Sequence, residues 1–339
     1  MSNLFLRTMR GDATERRPLW VMRQAGRYLP EYRALREKHS FEQLSGSAEL
    51  AAEVTMQPLA RFPLDAAIIF ADLMSPVGAL GLSVRFAPGP VLAHPIRTAG
   101  DVDALRDPHA GEIAPEVQQA LRLVRRSLDS RVALLGFAGA PWSIAAYLVQ
   151  GRGAPGFPAL RALAARDPGL LSALLSHLTE LAVRYVQAQV AAGADAIQLF
   201  DTWAGVLSLE DWTRLVRPHL VRFLDATRSL GAPRILFVQD APHLVDAYAA
   251  LPAEALAVDW RQDLGALRER VGPERALQGN LDPAVLLAGP DATRAAAGAL
   301  LRRVPRRGHI VNLGHGILPE TPIESVHALV EVVHAEAVA

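Results

Sequence analysis

Residues 18–36, PLWVMRQAGRYLPEYRALR, join an apolar run to a dense group of arginines. The run 18–22 reads as a short buried strand, and Arg23 and Arg27 follow directly after it, with Arg36 further on. A guanidinium keeps its charge and can hold a carboxylate through two parallel hydrogen bonds. The charge run alone fits a solvated basic helix start equally well. Its position after a core strand favours an anion-binding site, because ligands of α/β proteins bind beyond the carboxyl ends of strands.

Seven further apolar runs follow the first, and helical patterns separate them. The eight runs cover residues 18–22, 66–70, 131–137, 196–200, 234–238, 256–260, 276–278 and 309–313. Their content of Val, Ile, Leu and Phe is typical of parallel strands that are buried on both faces. Helices are predicted over residues 47–61, 167–192, 208–230, 242–251, 264–271, 283–304 and 321–335, and a further helix is predicted within 102–127.

Alternating strands and helices predict the α/β class, and eight strand–helix pairs predict a (β/α)8 TIM barrel. The sequence has no linker rich in Pro, Gly or Ser and no repeat of fixed period. Residues 1–339 are therefore expected to form a single domain. An open doubly wound sheet is the alternative, because a sequence pattern does not show whether a sheet closes.

The composition excludes several classes of function. The chain has no cysteine, which rules out disulfides, thiolate catalysis and Cys-ligated zinc or iron–sulfur sites. Its ten histidines do not pair at zinc spacings, so no metal is expected. Lys38 is the single lysine and lies in a charged stretch, which argues against Schiff-base and pyridoxal chemistry. Residues 151–156 match G-x-G-x-x-G but follow a helical stretch rather than a strand, so we predict a loop there.

Charge and hydropathy limit the expected partners. The 35 basic residues balance 35 acidic ones, which gives no support for a nucleic-acid surface. The N-terminal segment has no signal-peptide core, and no apolar run is long enough to span a bilayer. We therefore expect a cytoplasmic protein with neither a nucleic acid nor a membrane as partner.

Side chains that carry chemistry follow most of the predicted strands. They are Arg23, Arg27, Asp72, Tyr147, Asp201, Thr202, Gln239, Asp240, Asp259, Asn280, Asn312 and His315. Because active sites of (β/α)8 barrels lie at the C-terminal ends of the strands, we expect these groups to meet at one mouth.

Each candidate also has a structural interpretation. Asp72 follows an apolar strand and either caps the next turn or accepts N–H bonds from a ligand, which would keep it ionised. His315 lies between two glycines and is either a ligand-binding or a buried structural histidine. Tyr147 on its own fits packing, and Thr202 on its own indicates little. The acidic residues after the fourth, fifth and sixth strands fit ion pairs at the mouth equally well.

Five long stretches resemble the uroporphyrinogen decarboxylase family. They are MRQAGRYLPEYR (22–33), GFAGAPWSIAAY (136–147), IQLFDTWAGVL (197–207), LQGNLDPAV (277–285) and GHIVNLGHGILPETP (308–322). The resemblance runs nearly from end to end and implies a single (β/α)8 barrel, a cytoplasmic homodimer and no metal or organic cofactor. It also implies that the substrate is uroporphyrinogen, which loses CO2 from its four acetates to give coproporphyrinogen.

The same resemblance assigns the site. It implies substrate contacts at Arg23, Gln24, Ala25, Gly26, Arg27, Asp72, Tyr147, Thr202 and His315, with Arg36 as a further basic position. Asp72 would bind pyrrole N–H groups and stabilise a cationic intermediate, while Arg23 would supply or relay a proton. Thr202 stands where the family often has serine. The loop 239–242 lacks the Lys-Gly expected in many relatives, which leaves that loop's contribution open.

Two alternatives to this function remain. One is a corrinoid methyltransferase with the same barrel, whose zinc requires a cysteine that this chain lacks. The other is a tetrapyrrole-binding protein without catalytic activity.

Overall fold

The computed structural model describes residues 3–87 and 89–337, so residues 1, 2, 88, 338 and 339 of the predicted domain lie outside it. The strands are β1 (Ala66–Ile68), β2 (Val84–Phe86), β3 (Pro90–Leu92), β4 (Ala133–Gly139), β5 (Ala196–Asp201), β6 (Arg234–Val238), β7 (Ala255–Val258), β8 (Ala276–Gln278) and β9 (His309–Ile310). Seven of them form a parallel sheet in the order β1, β4, β5, β6, β7, β8, β9. The other two, β2 and β3, form an antiparallel hairpin.

Leu19 closes the parallel sheet between β9 and β1. It forms a parallel bridge with Val311. The Trp20 N–H donates to the Val311 carbonyl at 3.3 Å, and the Val311 N–H donates to the Pro18 carbonyl at 2.9 Å. On the other side, the Asp65 N–H donates to the Leu19 carbonyl at 2.8 Å. The prediction of a (β/α)8 barrel is therefore confirmed, and the open sheet is wrong.

The predicted first strand, 18–22, is much shorter than expected. Its backbone leaves the sheet after Trp20 because side chains take over its donors. The Val21 N–H donates to Gln24 Oε1 at 3.1 Å, and the Met22 N–H donates to Asn312 Oδ1 at 2.9 Å. The Gln24 N–H then donates back to the Val21 carbonyl at 2.8 Å, which turns the chain.

Helices connect successive strands. They are α1 (Leu4–Met9), α2 (Pro30–Lys38), α3 (Phe41–Gly46), α4 (Ala48–Arg61), α5 (Ala99–Asp103), α6 (Pro115–Ser127), α7 (Pro141–Gln150), α8 (Pro158–Arg166), α9 (Pro168–Ala191), α10 (Leu209–Asp211), α11 (Arg217–Ala226), α12 (Val245–Ala249), α13 (Leu264–Val271), α14 (Pro283–Leu287), α15 (Pro290–Arg303) and α16 (Ile323–His334). Within the described residues, no helix is both long enough and apolar enough to cross a bilayer.

Agreement with the predicted helices depends on proline and on caps. Helices α4, α9 and α13 match their predicted ranges, and the Asp167 carboxylate caps α9 by accepting the Leu170 N–H at 2.9 Å. The pattern 208–230 is broken by a π-helical turn before Pro218. The pattern 283–304 splits before Pro290. Both breaks have the same reason, since proline has no N–H for the helix ladder.

Small residues at the strand starts leave room for α1 inside the barrel. Five strands begin with an alanine that belongs to the cluster filling the barrel, namely Ala66, Ala133, Ala196, Ala255 and Ala276. Phe5 and Met9 of α1 pack into the same cluster and are fully or almost fully buried. Helix α1 thus fills the N-terminal end of the barrel, and the strand ends at the opposite face form the mouth.

The Asp65 side chain holds the closing segment in place, and its removal is expected to destabilise the barrel. Its Oδ2 accepts the Leu19 N–H at 2.8 Å, and both of its oxygens pair with Arg16 at 2.6 and 2.7 Å. Asp65→Ala leaves a largely buried guanidinium and a buried N–H without partners, which should cost about 3 kcal/mol of unfolding free energy. Urea denaturation measures the change.

Asp129→Ala is the matched control. Asp129 also pairs with an arginine, Arg131, but both side chains are exposed, so the denaturation midpoint should stay in place. Equal midpoints for the two variants would contradict a closing role for Asp65.

Candidate active site

Arg23 stands at the mouth on a constrained turn. Its φ of 61° lies in the left-handed region, which costs free energy for a residue other than glycine. The Gln24 side chain fixes this turn, since its amide donates to the Ala66 carbonyl at 3.0 Å while its oxygen accepts the Val21 N–H. The Arg23 side chain crosses Gly316, where an added Cβ would lie 2.3 Å from Arg23 Cδ. Local strain and packing therefore aim this guanidinium.

The turn offers several groups to an anion. The backbone N–H groups of Ala25, Gly26 and Arg27 donate to no acceptor in residues 3–87 and 89–337. Among those residues, no carboxylate lies within 4 Å of the exposed Arg23 and Arg27 guanidiniums. Unshared N–H groups and uncompensated guanidiniums are the donors that carboxylates prefer.

Asp72 combines the two roles that its sequence position allows. Its Oδ1 accepts the Met74 N–H at 2.8 Å, and its own N–H donates to Ser75 Oγ at 3.1 Å, so it caps the turn after β1. Its Oδ2 accepts no hydrogen bond from the described residues. Burial raises the pKa of Asp72, and the Met74 N–H and the nearby Arg23 charge oppose the rise. Further N–H donors would favour the ionised form.

His315 and Tyr147 both face the Arg23 charge. Burial, together with the positive charges of Arg23 and Arg261, lowers the pKa of His315 to about 4. The His315 ring is therefore neutral at pH 7 and can donate through one nitrogen. Burial raises the pKa of Tyr147, and the Asp72 charge adds to the rise, so its hydroxyl is a donor.

A cavity of about 530 Å³ opens beside Tyr147. Its walls include Thr202, Trp203, Asp240 and the glycine-rich loop 153–156. That loop follows α7, which confirms the prediction of a loop over 151–156. The cavity lies in the range of ordinary ligand pockets. Tyr147 lines this cavity, and after the effect of burial the charges of Asp72 and Arg23 act on its pKa in opposite directions.

Asp201 positions the Thr202 loop through a hydrogen-bond chain. It is fully buried and accepts the Ser143 hydroxyl at 2.7 Å, and that hydroxyl accepts the Trp203 N–H at 3.1 Å. Burial raises the pKa of Asp201 to about 7, while the Ser143 hydroxyl opposes the rise. Asp201 thus pairs with a hydroxyl and not with a cation.

Asp240 and Asp259 do form ion pairs at the mouth, and both share Arg261. Arg261 lies 2.7 Å from Asp240 and 3.6 Å from Asp259. Asp259 is fully buried and accepts the backbone N–H groups of Asp240 at 2.6 Å and Arg261 at 2.9 Å. These bonds tie the loop 239–242 to the loop after β7.

The remaining predicted residues lie further out or have structural bonds. Arg27 and Arg36 both lie near Tyr32, whose ring packs edge-on against Phe70 at 5.8 Å, just before Asp72. Arg36 belongs to the last turn of α2 and donates to the His39 carbonyl at 2.5 Å.

Two predicted residues have a structural role, and one residue at the mouth was not predicted. The side chains of Gln24 and Asn312 hold the Arg23 turn from within, and nothing in an isolated sequence distinguishes such a buried amide from a ligand-binding one. Arg261 was detectable from its position, because it directly follows the predicted strand 256–260.

A family model described as uroporphyrinogen decarboxylase (URO-D) matches residues 1–336. The chain belongs to the uroporphyrinogen decarboxylase family. The uroporphyrinogen decarboxylase of Geobacter sulfurreducens is 42% identical over 335 residues, which cover 98% of each chain. That of Syntrophotalea carbinolica is 44% identical over 331 residues, which cover 97% of this chain and 96% of the relative.

Solved structures outside these curated relatives share the fold of this uroporphyrinogen decarboxylase family member. A methyltransferase from Methanosarcina mazei has a TM-score of 0.82 at 22% identity and covers 99% of both chains. A B12-independent methionine synthase from Shewanella sp. W3-18-1 has a TM-score of 0.60 at 10% identity, covering 95% of this chain and 96% of its own. At such identities the likeness shows the barrel fold alone.

The low pKa of His315 gives a test of the site's electrostatics. NMR of the imidazole should show almost no titration of His315 between pH 8 and pH 5, because the pKa of about 4 puts the midpoint of protonation below this range. Arg23→Gln removes one of the repelling charges and should raise the titration midpoint. Arg27→Gln is the control, since Arg27 is not among the charges that lower this pKa. A midpoint near 6.5 in the unaltered protein would show that the ring is not buried as described.

Proposed function

We propose that this protein removes CO2 from the four acetate side chains of uroporphyrinogen and releases coproporphyrinogen. The observation that carries the proposal is Asp72, a partly buried carboxylate with one unshared oxygen and the Arg23 charge nearby. Such a group suits the inward-facing pyrrole N–H groups of a cyclic tetrapyrrole. Each N–H bond would compensate for the burial that disfavours the carboxylate.

The basic turn is proposed to bind the substrate's carboxylates. Arg23, Arg27 and the free backbone N–H groups at Ala25 and Gly26 supply charge-assisted donors. Arg36 would add positive charge at the outer edge, where propionates extend beyond the ring. We propose that Gln24 contributes through its hold on the turn, because its side-chain oxygen and nitrogen are already hydrogen-bonded.

Tyr147, Thr202 and His315 are proposed as further substrate contacts. The first two line the cavity and present hydroxyl donors. Neutral His315 can donate to an acetate or propionate without adding a counter-charge to the mouth.

The substrate's own pyrrole is proposed to accept the electrons of each decarboxylation. A proton adds to a ring carbon and makes the ring cationic. The bond between the acetate's methylene carbon and its carboxylate carbon then breaks, CO2 leaves, and the electron pair neutralises the ring. The methylene carbon takes up a proton to become a methyl group, and the ring carbon's added proton is released. One proton is consumed for each CO2.

Asp72 and Arg23 are proposed as the catalytic residues. The Asp72 carboxylate would stabilise the developing positive charge, and preorganised groups of this kind are commonly worth about 3–4 kcal/mol. Arg23 would orient the reacting acetate and supply or relay the proton. Because an arginine in water holds its proton tightly, this role requires a bound substrate that excludes solvent from the mouth.

The activity test also separates the two alternative functions. Purified protein would be incubated anaerobically with uroporphyrinogen without added metal or cofactor, and oxidised products would be separated by carboxylate number. Stepwise loss from eight to four carboxylates supports the decarboxylase. Bound but unchanged substrate would support a carrier. A corrinoid methyltransferase has less support, because the full-length relatives at 42 and 44% identity are decarboxylases.

Asp72→Asn is expected to reduce turnover about a hundredfold or more, because the amide cannot supply the negative charge. The measurement is kcat for uroporphyrinogen, with circular dichroism to check the fold. Asp101→Asn, at an exposed carboxylate in the capping box of α5, serves as the matched control and should retain full turnover. Near-normal turnover of Asp72→Asn would exclude its catalytic role.

We further propose that the protein acts as a homodimer in the cytoplasm, as the family resemblance implies. Sedimentation equilibrium would then give twice the chain mass of 36.5 kDa. A mass equal to one chain would refute the dimer.

A further inference from the structure

Arg261 follows β7 and keeps unused donors at the mouth. Its guanidinium carbon lies 4.2 Å from the centre of the Trp260 ring. Its Nη1 lies 2.7 Å from Asp240 Oδ1, with Asp259 more distant at 3.6 Å. Stacking on an aromatic face leaves the edge N–H groups of a guanidinium available, and one carboxylate does not occupy them all. Since 44% of the side chain is exposed, an incoming anion can reach the remaining donors.

Three observations place Arg261 beside the proposed substrate site. Its partner Asp240 lines the cavity together with Tyr147. The loops after β7 and β9 are in direct contact, since a Cβ added to Gly314 would lie 2.5 Å from the backbone nitrogen of Trp260. The Arg261 charge also contributes to the lowered pKa of His315.

Asp240 is an unexpected neighbour for a polyanionic substrate. Its carboxylate lies at the cavity wall, where it would repel acetate and propionate groups. Its backbone is fixed in the left-handed region at φ 54°, and its N–H donates to Asp259 at 2.6 Å. The loop therefore holds this carboxylate against Arg261, in the place that an external carboxylate would take.

We infer that Arg261 is a further substrate-binding residue: its remaining donors hold a carboxylate of the tetrapyrrole, and Asp240 competes with that carboxylate for the guanidinium. Asp240 occupies the guanidinium in the free protein and weakens binding by competition. This inference rests on the proposed function, since it takes the same polycarboxylate as the ligand. It gives the loops after β6 and β7 a part in substrate binding, in addition to the part proposed for the Arg23 turn.

The test compares single and double variants by binding, so that it does not depend on turnover. Anaerobic equilibrium dialysis with coproporphyrinogen gives the dissociation constant of each variant, and kcat and KM are measured with uroporphyrinogen. Arg261→Gln should raise the dissociation constant about tenfold, the scale of one charge-assisted hydrogen bond, with kcat within about twofold. Arg261→Lys should recover part of the affinity, because it restores the charge without the planar fork.

Asp240→Asn tests whether Arg261 binds substrate or whether the Arg261–Asp240 pair only joins two loops. Asn tolerates the left-handed backbone, so the loop is retained. If Asp240 competes with the substrate, this variant should lower the dissociation constant about threefold, and the gain should vanish when Arg261→Gln is also present. Weaker binding by Asp240→Asn would mean that the pair only braces two loops and would overturn the inference. An equal gain in affinity with and without Arg261 would mean that Asp240 only repels the substrate at long range, and this result would also overturn the inference.

Arg270→Gln provides the matched control. Arg270 pairs with Asp246 at 3.2 Å and links α13 to α12, the helices that follow β7 and β6. Loss of that outer pair should leave the dissociation constant unchanged. Product analysis of the unaltered protein reports separately on the proposed function. A protein that binds coproporphyrinogen without decarboxylating uroporphyrinogen would refute the reaction, and the dissociation constants would still decide the role of Arg261.

Discussion

The Asp65 carboxylate makes the connection on which the barrel depends. The eighth position in the sheet is filled by a segment that pairs through a single bridge residue, Leu19. So short a ladder has few backbone hydrogen bonds, and Asp65 adds a side-chain acceptor for Leu19 together with a paired Arg16. Because the Arg23 turn comes four residues after Leu19, the same connection sets where the basic turn meets the mouth.

The mouth combines exposed positive charge with partly buried groups that resist ionisation. Arg23 and Arg27 have no carboxylate within 4 Å among the described residues, whereas many arginines elsewhere pair with one. Burial raises the pKa of Asp72 and lowers that of His315, so both ionised forms are disfavoured in the free protein. A polyanion that also carries N–H donors would satisfy both sets of groups at once. Until such a ligand binds, the two guanidiniums lack a carboxylate partner, and Oδ2 of Asp72 lacks a donor, within the described part of the chain.

Much of the fold could be predicted from the sequence, because fully buried parallel strands leave continuous apolar runs. The strand predicted over the first run, 18–22, was partly wrong, because the side chains of Gln24 and Asn312 accept hydrogen bonds from its backbone N–H groups. No local sequence pattern shows a partner as distant as Asn312. The β2–β3 hairpin was missed because its three-residue strands are partly exposed and lack a buried run. Candidate site residues were predicted from their positions after strands and from the family resemblance. Their partners, such as Ser143 for Asp201, depend on tertiary contacts alone.

The position of α1 inside the barrel has a consequence for how substrate and CO2 enter and leave. Phe5 and Met9 pack among the alanines at the strand starts and fill the N-terminal end of the barrel. A tetrapyrrole bound at the mouth would therefore cover the end of the barrel that α1 does not fill. Each CO2 would have to leave around the rim of the bound macrocycle. Presenting the next acetate to Asp72 would require the macrocycle to rotate within the mouth or to dissociate and bind again.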